Sequence, residues 1–242
     1  MRIEDFSEGF DILLHSYAAE AGFGEDAFKG TISLNEHEKS VFLTKAQEDI
    51  VLELYTGRNN YRESFETTEE MRRILSILVK EVSLDPITSS SELPLGIDSN
   101  SKFFTLPEDL WFITYESAVV SDGKCGEGSK LEIYPVRQDE YHVIKKNPFR
   151  GANDRRVLRL DLSEGIVELV SKYTVSSYYV RYLRKPKPIV LIDLSNDDMA
   201  INGVSNATPC ELHESLHQRI LERAVMLALQ SRGYANNKEN SK

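Results

Sequence analysis

The residues whose spacing most suggests chemistry are His213, Glu214 and His217, which form an HExxH pattern. On an α-helix, two histidines four positions apart lie on one face and can bind one zinc ion, and the glutamate can act as a general base on the bound water. The pattern therefore raises the hypothesis of a small zinc metallohydrolase.

The surrounding sequence does not supply a third metal ligand. The longer metzincin pattern needs glycine and histidine where this chain has Ile220 and Arg223, and the acids that follow are Glu222 and Glu239. A catalytic zinc site needs three protein ligands. We therefore interpret the HExxH match as a chance one and expect no metal, no cofactor and no enzymatic activity. The small HExxH-type zinc metallohydrolase is the alternative function.

The cysteines offer little further support for catalysis. Cys125 and Cys210 form no CxxC pair and no disulfide framework, which is typical of a protein that folds in a reducing compartment. Cys210 lies near the start of a predicted helix, where a thiol pKa can be lowered, but small cysteines at such positions are usually packing residues. The sequence also has no GxxxxGK[ST] or GxGxxG pattern for nucleotide binding.

The charge of the chain limits its partners. Its 242 residues carry 29 Lys and Arg against 39 Asp and Glu, a net charge of −10, and 40% of them are hydrophobic. A nucleic-acid-binding module needs a concentrated positive face, so sequence-specific DNA binding is disfavoured. The acidic start of the chain does not resemble a signal peptide. No apolar run approaches the ~20 residues that span a bilayer, so we expect no membrane partner.

Two amphipathic helices are predicted in the N-terminal part of the chain. Apolar residues recur every three or four positions in residues 1–21 and again from about Asn35. Gly57 is suited to end the second helix because glycine tolerates the left-handed conformation common at that place.

A third helix is predicted to begin at a capping box in residues 67–70. In this interpretation Thr67 bonds forward, Glu70 bonds back, and the apolar stripe of the helix extends to Val82. Three amphipathic helices with short connections predict a small bundle.

The pattern changes from helical to alternating beyond Asp85-Pro86. Between residues 103 and 194 we expect six or seven strands in a mainly antiparallel sheet, because the joints are too short for helical crossovers. Residues 138–149 predict a helical turn, and residues 155–173 predict a hairpin. Residues 173–194 predict an aromatic strand, a basic Pro-x-Pro break and a second apolar strand.

The last helix is predicted to begin at Thr208, with Pro209 in its first position, and to end near Gly233. The fold class is therefore α+β, with an N-terminal helical bundle, a mainly antiparallel β-region and a C-terminal helix followed by a polar tail. The corresponding segments are residues 1–90, 91–200 and 201–242, and the last helix is expected to pack on the bundle.

Two groups of basic residues could contact partners. Arg181, Arg184, Lys185 and Lys187 surround two prolines, and they could either pair with acidic residues of a neighbouring subunit or protect the edge of a strand. A second group could act similarly or touch DNA locally at a rim; it consists of Lys145, Lys146, Arg150, Arg155, Arg156 and Arg159.

Several segments taken together resemble a neck structural protein of crAss-like bacteriophages. They are NEHEKSVFLTKAQEDIVLELY (35–55), SKFFTLPEDLWFITYESAVV (101–120), DEYHVIKKNPFRGANDRRVLRLDL (139–162), YYVRYLRKPKPIVLIDL (178–194) and CELHESLHQRILERAV (210–225). The order of parts is also similar to that of podovirus head–tail adaptors. Histidine is not held at position 213 in the pattern of this family, which further opposes a zinc site.

The resemblance implies a virion protein that is assembled in the host cytoplasm into a homo-oligomeric ring, usually of twelve copies. Such a ring lies beneath the portal protein, contacts the next ring of the neck or tail, and surrounds the DNA channel without sequence-specific binding. The C-terminal tail of such adaptors commonly reaches the portal, which makes Tyr234, Asn236 and Lys238 candidate contact residues. A monomeric protein-binding module is the remaining alternative.

Overall fold

In a computed structural model of the chain, the described residues are 2–20, 34–58, 64–65, 67–88, 96–121, 128–163, 165–195 and 199–231. The chain divides into two compact units. A helical unit contains residues 1–77 and 186–242, and a sheet unit contains residues 78–185. The sequence predicts a different division, into residues 1–90, 91–200 and 201–242. That division stays a prediction.

The helical unit contains the two long helices predicted at the N-terminus. Helix α1 spans Ile3–Glu20 and helix α2 spans Glu36–Thr56. Asn35 caps α2 through a capping box with Glu38, in which each side chain accepts a hydrogen bond from the other residue's backbone N–H, at 2.7 and 2.9 Å. Gly57 ends α2 in the left-handed conformation, with φ of 71°. Both predicted helices are confirmed.

The third predicted helix is wrong at both ends. Helix α3 spans only Glu69–Leu75, and it is capped by Thr68, whose Oγ1 accepts from the backbone N–H of Met71, rather than by Thr67. A short 3₁₀-helix, Ser76–Leu78, follows, and strand β1, Val79–Leu84, begins directly after it. Val82 therefore lies on a strand, because the alternating residues 79–84 pair along their whole length with another strand of the sheet.

The sheet unit contains seven strands. After β1 they are β2 (Lys102–Thr105), β3 (Leu110–Val120), β4 (Ser129–Pro135), β5 (Arg156–Asp161), β6 (Ile166–Val170) and β7 (Val175–Arg184), in the spatial order β1-β7-β3-β4-β5-β6-β2. All neighbouring pairs are antiparallel except β4 and β5, which are parallel. The mainly antiparallel sheet is confirmed. The expectation that no crossover connection occurs is wrong, since residues 136–155 form one between β4 and β5.

The sheet curls around its own core. The ring of Phe104 on β2, at one end of the strand order, packs edge-to-face on Tyr178 of β7 near the other end, with centroids 5.5 Å apart. The backbone N–H of Ile87, just beyond β1, donates to Phe103 O of β2 at 2.8 Å. Further buried side chains of this core include Ala118, Val120, Ile133, Val157, Leu169 and Val180.

The crossover between β4 and β5 contains the predicted helical turn. Helix α4, Tyr141–Lys145, lies within it, and the β5–β6 hairpin is antiparallel as expected. Tyr141 packs with Leu158, Leu160 and Val170 in a second cluster. Alternate residues of β5 therefore serve two cores, since Val157 belongs to the first.

The last helix begins later than predicted. A 3₁₀-helix, Glu214–Leu216, leads into helix α5, His217–Ser231, so that Thr208 and Pro209 are not its first residues. Thr208 instead forms an antiparallel backbone bridge with Val190. Helix α5 packs on α1 and α2 through buried residues such as Ile220, Leu221 and Ala224. In the described part of the chain, no helix is long and apolar enough to cross a membrane.

Candidate subunit interface

Arg181 lies on β7, opposite Glu81 on the neighbouring strand β1. Its guanidinium group lies 3.2 Å from Glu81 Oε2, and the hydroxyl of Tyr179 donates to the same oxygen at 2.6 Å. The hydrogen bond from Tyr179 and that from Arg181 lower the pKa of the Glu81 carboxyl. The Arg181 side chain is 50% exposed, so it is oriented within its own subunit and still accessible to a partner.

Arg184 and Lys185 lie where β7 ends. Arg184 Nη1 donates to Lys185 O at 3.2 Å, and the backbone N–H of Lys185 donates to Asp109 O at 2.9 Å. The side chain of Lys185 is exposed and that of Arg184 is partly exposed. Arg181 and Arg184 therefore lie in the C-terminal part of β7, and Lys185 follows directly after it.

Lys187 belongs to the helical unit. Its backbone N–H donates to Glu211 Oε1 at 2.8 Å, and its carbonyl oxygen accepts from Gln47 Nε2 at 2.7 Å. The side chain itself is exposed. The backbone of Lys187 is fixed by these contacts while its charge faces solvent.

The alternative role of this basic group, protection of a strand edge, is wrong for β7. Strand β7 lies between β1 and β3, and the strands at the two ends of the order are β1 and β2. Lys185 and Pro186 come after the last ladder residue, Arg184, so they end the strand and do not line an open edge.

The second apolar strand predicted in residues 188–194 does not join the sheet. This segment instead lies against helix α2 through polar side chains at helical spacing. Ser40 Oγ accepts from the N–H of Leu191 at 2.9 Å, and Gln47 binds Lys187 O. Thr44 Oγ1 accepts from Ile189 N at 3.1 Å and donates to Ile189 O at 3.2 Å. Buried hydroxyl and amide groups thus satisfy backbone groups that a neighbouring strand satisfies in a sheet.

The sheet unit contains a buried ion pair that the sequence did not predict. Arg159 Nη1 lies 2.6 Å from Glu116 Oε2, and the Tyr178 hydroxyl donates to the same oxygen at 2.6 Å. Both charged side chains are about nine-tenths buried, at 10% and 11% exposure. Burial, and then the adjacent Glu116 charge, raise the pKa of Tyr178 above its ordinary value. The sequence-based expectation that Arg159 contacts a partner together with the other cations of its group is therefore wrong, because Arg159 is buried.

Other members of the second basic group are held in different ways. Lys145 forms an ion pair with Asp98 at 2.6 Å. The guanidinium group of Arg156 stacks on the ring of Tyr134, 3.9 Å from its centroid. Lys146, Arg150 and Arg155 are exposed.

The HExxH residues do not lie together on one helix. His213 precedes the 3₁₀-helix, is exposed, and accepts through Nδ1 from the backbone N–H of Ser215 at 3.3 Å. His217 begins α5, is 5% exposed, and its Nε2–H donates to Leu212 O at 3.0 Å. Among the residues that the structure describes, no three His, Cys, Asp or Glu side chains are grouped so that they could hold a metal ion.

The thiol of Cys210 is placed for packing. Its Sγ donates to Gln47 Oε1 at 3.3 Å, and burial raises the pKa of the Cys210 thiol to about 11. A thiol with this pKa is almost fully protonated at neutral pH, which opposes nucleophilic chemistry. Cys125 lies outside the described residues, as do the predicted portal-contacting residues Tyr234, Asn236 and Lys238.

Comparison with known proteins defines the family. The family model described as "Phage tail ring protein 3/4" matches residues 1–240. The chain belongs to this family, which confirms the resemblance to crAss-like phage proteins seen in the sequence.

Two proteins of Bacteroides phage crAss001 are similar to the chain over nearly its full length. "Ring protein 3" is 44% identical over 235 residues, which cover 96% of each chain. "Ring protein 4/5" is 31% identical over 236 residues, which cover 94% of this chain and 92% of that protein.

Proposed function

We propose that the chain is a structural virion protein that forms a homo-oligomeric ring in the head–tail connector, or neck, below the portal protein and around the DNA channel. The observation that carries this proposal is the family match over residues 1–240, together with two relatives named as ring proteins that are similar over nearly their full length. The function is mechanical and needs no catalytic group.

The charge distribution suits a conduit for DNA. The helical unit has 14 Lys and Arg against 23 Asp and Glu, a net of −9, whereas the sheet unit has 15 against 16, a net of −1. A ring of such subunits repels phosphate groups wherever its acidic surface faces the channel. DNA then passes without sequence-specific binding.

The proposed subunit contact uses the exposed cations Arg181, Lys185 and Lys187 and the partly exposed Arg184. In a cyclic ring each contact is heterologous, so one face of a subunit meets a different face of the next. Glu81 orients the Arg181 guanidinium group before assembly, which reduces the side-chain entropy lost when a neighbouring carboxylate binds it.

The further partners in this proposal are the portal protein, which the C-terminal tail with Tyr234, Asn236 and Lys238 contacts, and the next ring of the neck or tail. Assembly takes place in the host cytoplasm, and the mature location is the virion neck. A dodecamer is the expected ring.

Electron microscopy and light scattering of the purified chain, alone and with portal protein, test ring formation. Closed rings of constant copy number support the proposal, and a monodisperse monomer in both samples indicates the monomeric binding module instead. Elemental analysis tests the metallohydrolase alternative, because stoichiometric zinc that is lost on His213→Ala contradicts a purely structural role.

A further inference from the structure

The crossover between β4 and β5 presents one aromatic side chain far out of the surface. Phe149 is 84% exposed, which is the largest exposure among the large hydrophobic side chains of the described residues. It lies four residues beyond helix α4, in a turn of residues 147–151. A single exposed apolar side chain is normal on a folded protein, so the residues near Phe149 decide whether it marks a contact site.

The turn that carries Phe149 is rigid. Asn147 Oδ1 accepts from the backbone N–H of Phe149 at 2.9 Å, and Asn147 O accepts from that of Gly151 at 2.7 Å. A Cβ atom added at Gly151 meets Asn147 O at 3.0 Å, so glycine permits this close approach. Arg156 Nη1 donates to Phe149 O at 2.8 Å. The backbone that carries the aromatic ring is therefore fixed before any partner binds, which lowers the cost of ordering this turn.

Exposed cations lie close to Phe149 in the sequence. Lys146, Arg150 and Arg155 are exposed, and within the described part of the chain none of them has an ion-pair partner. We name Phe149 with Lys146, Arg150 and Arg155 the basic knob. Its local charge contrasts with the net charge of −10 of the whole chain.

The helical unit contains a groove with the complementary properties. It has a volume of about 300 Å³ and an apolar floor formed by Ile3, Leu191 and Ile192. Ile192 is 48% exposed, so this apolar surface faces solvent. A cavity of about 150 Å³ can already accept a benzene ring, so the groove has room for a phenylalanine side chain.

Acidic side chains line the rim of this groove. Glu4 and Glu8 lie one turn apart on α1, are exposed, and have no ion-pair partner among the described residues. Glu36, the third carboxylate of the rim, already pairs with Lys39 at 2.9 Å. We name the floor and rim together the acidic groove.

We propose that the basic knob of one copy of this chain docks into the acidic groove of a second copy, with Phe149 on the apolar floor and Lys146 and Arg150 facing Glu4 and Glu8. The knob and the groove are different surfaces, so the contact is heterologous and can repeat from copy to copy around a ring. This inference rests on the proposed ring function and identifies one surface by which neighbouring subunits meet.

The occupant follows from charge and shape together. The knob carries the exposed cations Lys146, Arg150 and Arg155, and the rim of the groove carries the exposed carboxylates Glu4 and Glu8, so these two local surfaces of neighbouring copies attract each other. DNA is a poorer occupant of the knob, since a phosphate backbone leaves the Phe149 side chain without an apolar partner.

Assembly of single variants tests the contact by mass photometry and electron microscopy. Phe149→Ala is expected to weaken association between copies by about 10- to 100-fold, because it removes most of one buried aromatic side chain. Met226→Ala, which removes an exposed side chain on α5 outside the groove, is the matched control and is expected to assemble like the unmodified chain.

A charge exchange tests the pairing of the two surfaces. Lys146→Glu with Arg150→Glu is expected to block assembly, and so is Glu4→Lys with Glu8→Lys, whereas all four changes in one chain are expected to restore it. Circular dichroism of each variant reports whether it is folded. Normal assembly of the folded Phe149→Ala and Lys146→Glu/Arg150→Glu chains overturns the contact and leaves the ring function intact.

Zero-length cross-linking gives a readout that does not depend on a closed ring. A carbodiimide joins the Lys146 amine to a Glu4 or Glu8 carboxylate only where the two touch, and mixing ¹⁵N-labelled with unlabelled chains shows by mass spectrometry that the link joins two copies. The mixed-label peptide is expected. Its absence overturns the docking proposal, whereas absence of rings with the link present counts against the ring function alone.

Discussion

Thr44 on helix α2 exchanges two hydrogen bonds with the backbone of Ile189, as a neighbouring strand residue does in a sheet. Both residues are buried, and the pair joins two parts of the chain that are far apart in sequence. The helix therefore acts as the hydrogen-bonding partner of this extended segment.

Replacing Thr44 by valine tests how much this pair contributes. Thr44→Val keeps the shape of the side chain but leaves the Ile189 N–H and C=O without partners, so we expect the free energy of unfolding to fall by about 1–3 kcal/mol. Urea denaturation followed by circular dichroism measures it. Thr56→Val is the control on the same helix, because Thr56 is exposed at its end; equal loss in both variants contradicts the role of Thr44.

Arg159 should be costly to remove because it neutralises a buried carboxylate. Arg159→Met leaves Glu116 buried without its cation, and breaking a buried ion pair in this way costs about 3–5 kcal/mol. Urea denaturation of the variant measures the loss. Adding Glu116→Gln is expected to recover part of it.

The exposed Arg155 provides the comparison for this change. Arg155→Met should alter the free energy of unfolding by no more than about 0.5 kcal/mol. If Arg159→Met is as mild as Arg155→Met, the ion pair has no structural importance.

Stability should fall in mild acid because of His217. Burial lowers the pKa of His217 below its ordinary value of 6.5, so the folded chain binds fewer protons than the unfolded chain as pH falls below about 6.5. The stabilisation is therefore present above pH 6.5 and is lost toward the lowered folded pKa. Urea midpoints at pH 7.5 and 5.5 measure the loss.

The two histidines of the HExxH pattern make a matched pair for this measurement. His217→Gln keeps a side-chain donor for Leu212 O but does not titrate, so we expect it to reduce the pH dependence. His213→Gln, at the exposed histidine of the same pattern, is the comparison variant. If His213→Gln reduces the pH dependence of stability more than His217→Gln does, the assignment of this dependence to His217 is wrong.

Charge reversal at Arg181 and Arg184 tests the proposed interface on β7. Arg181→Glu with Arg184→Glu should give a folded chain that assembles at least about tenfold more weakly, since like charges then meet across the subunit contact. Mass photometry measures the assembled fraction. If the variant forms intact rings at the same protein concentration as the unmodified chain, these residues lie outside the interface.

The pair Arg181–Glu81 allows a stricter control. Exchanging the two charges, Glu81→Arg with Arg181→Glu, restores the ion pair within the subunit but not a contact with a neighbour. We therefore expect normal stability and poor assembly. If the exchanged chain has normal stability and also assembles normally, Arg181 stabilises only its own sheet.

The sequence predicted elements whose signals are local. The stripe of α2, its start at Asn35 and its stop at Gly57 depend on residues close in sequence, and the structure confirms them. The alternation in residues 155–173 likewise predicted the β5–β6 hairpin. Such elements follow from helical and strand periodicity alone.

Elements that depend on distant partners were not predictable in this way. Residues 188–194 contain a short apolar run typical of a buried strand, but their partner is the polar stripe of Ser40, Thr44 and Gln47 on a helix. Those three residues, spaced at four and three positions within an apolar helix face, were the available signal. The sequence around Thr208 is typical of a helix N-terminus, yet the backbone of Thr208 forms hydrogen bonds with Val190 instead. Arg159 resembles a surface cation in the sequence, because its ion-pair partner Glu116 is distant and is brought near it only by the fold.

Direct imaging of virions with a label on this chain tests the proposed function most directly. For a neck ring protein, we expect the label, or the density of the chain in a reconstruction, to form a closed ring in the neck between the portal protein and the tail. Absence of the chain from purified virions, or a position on the capsid surface or tail fibres, contradicts it.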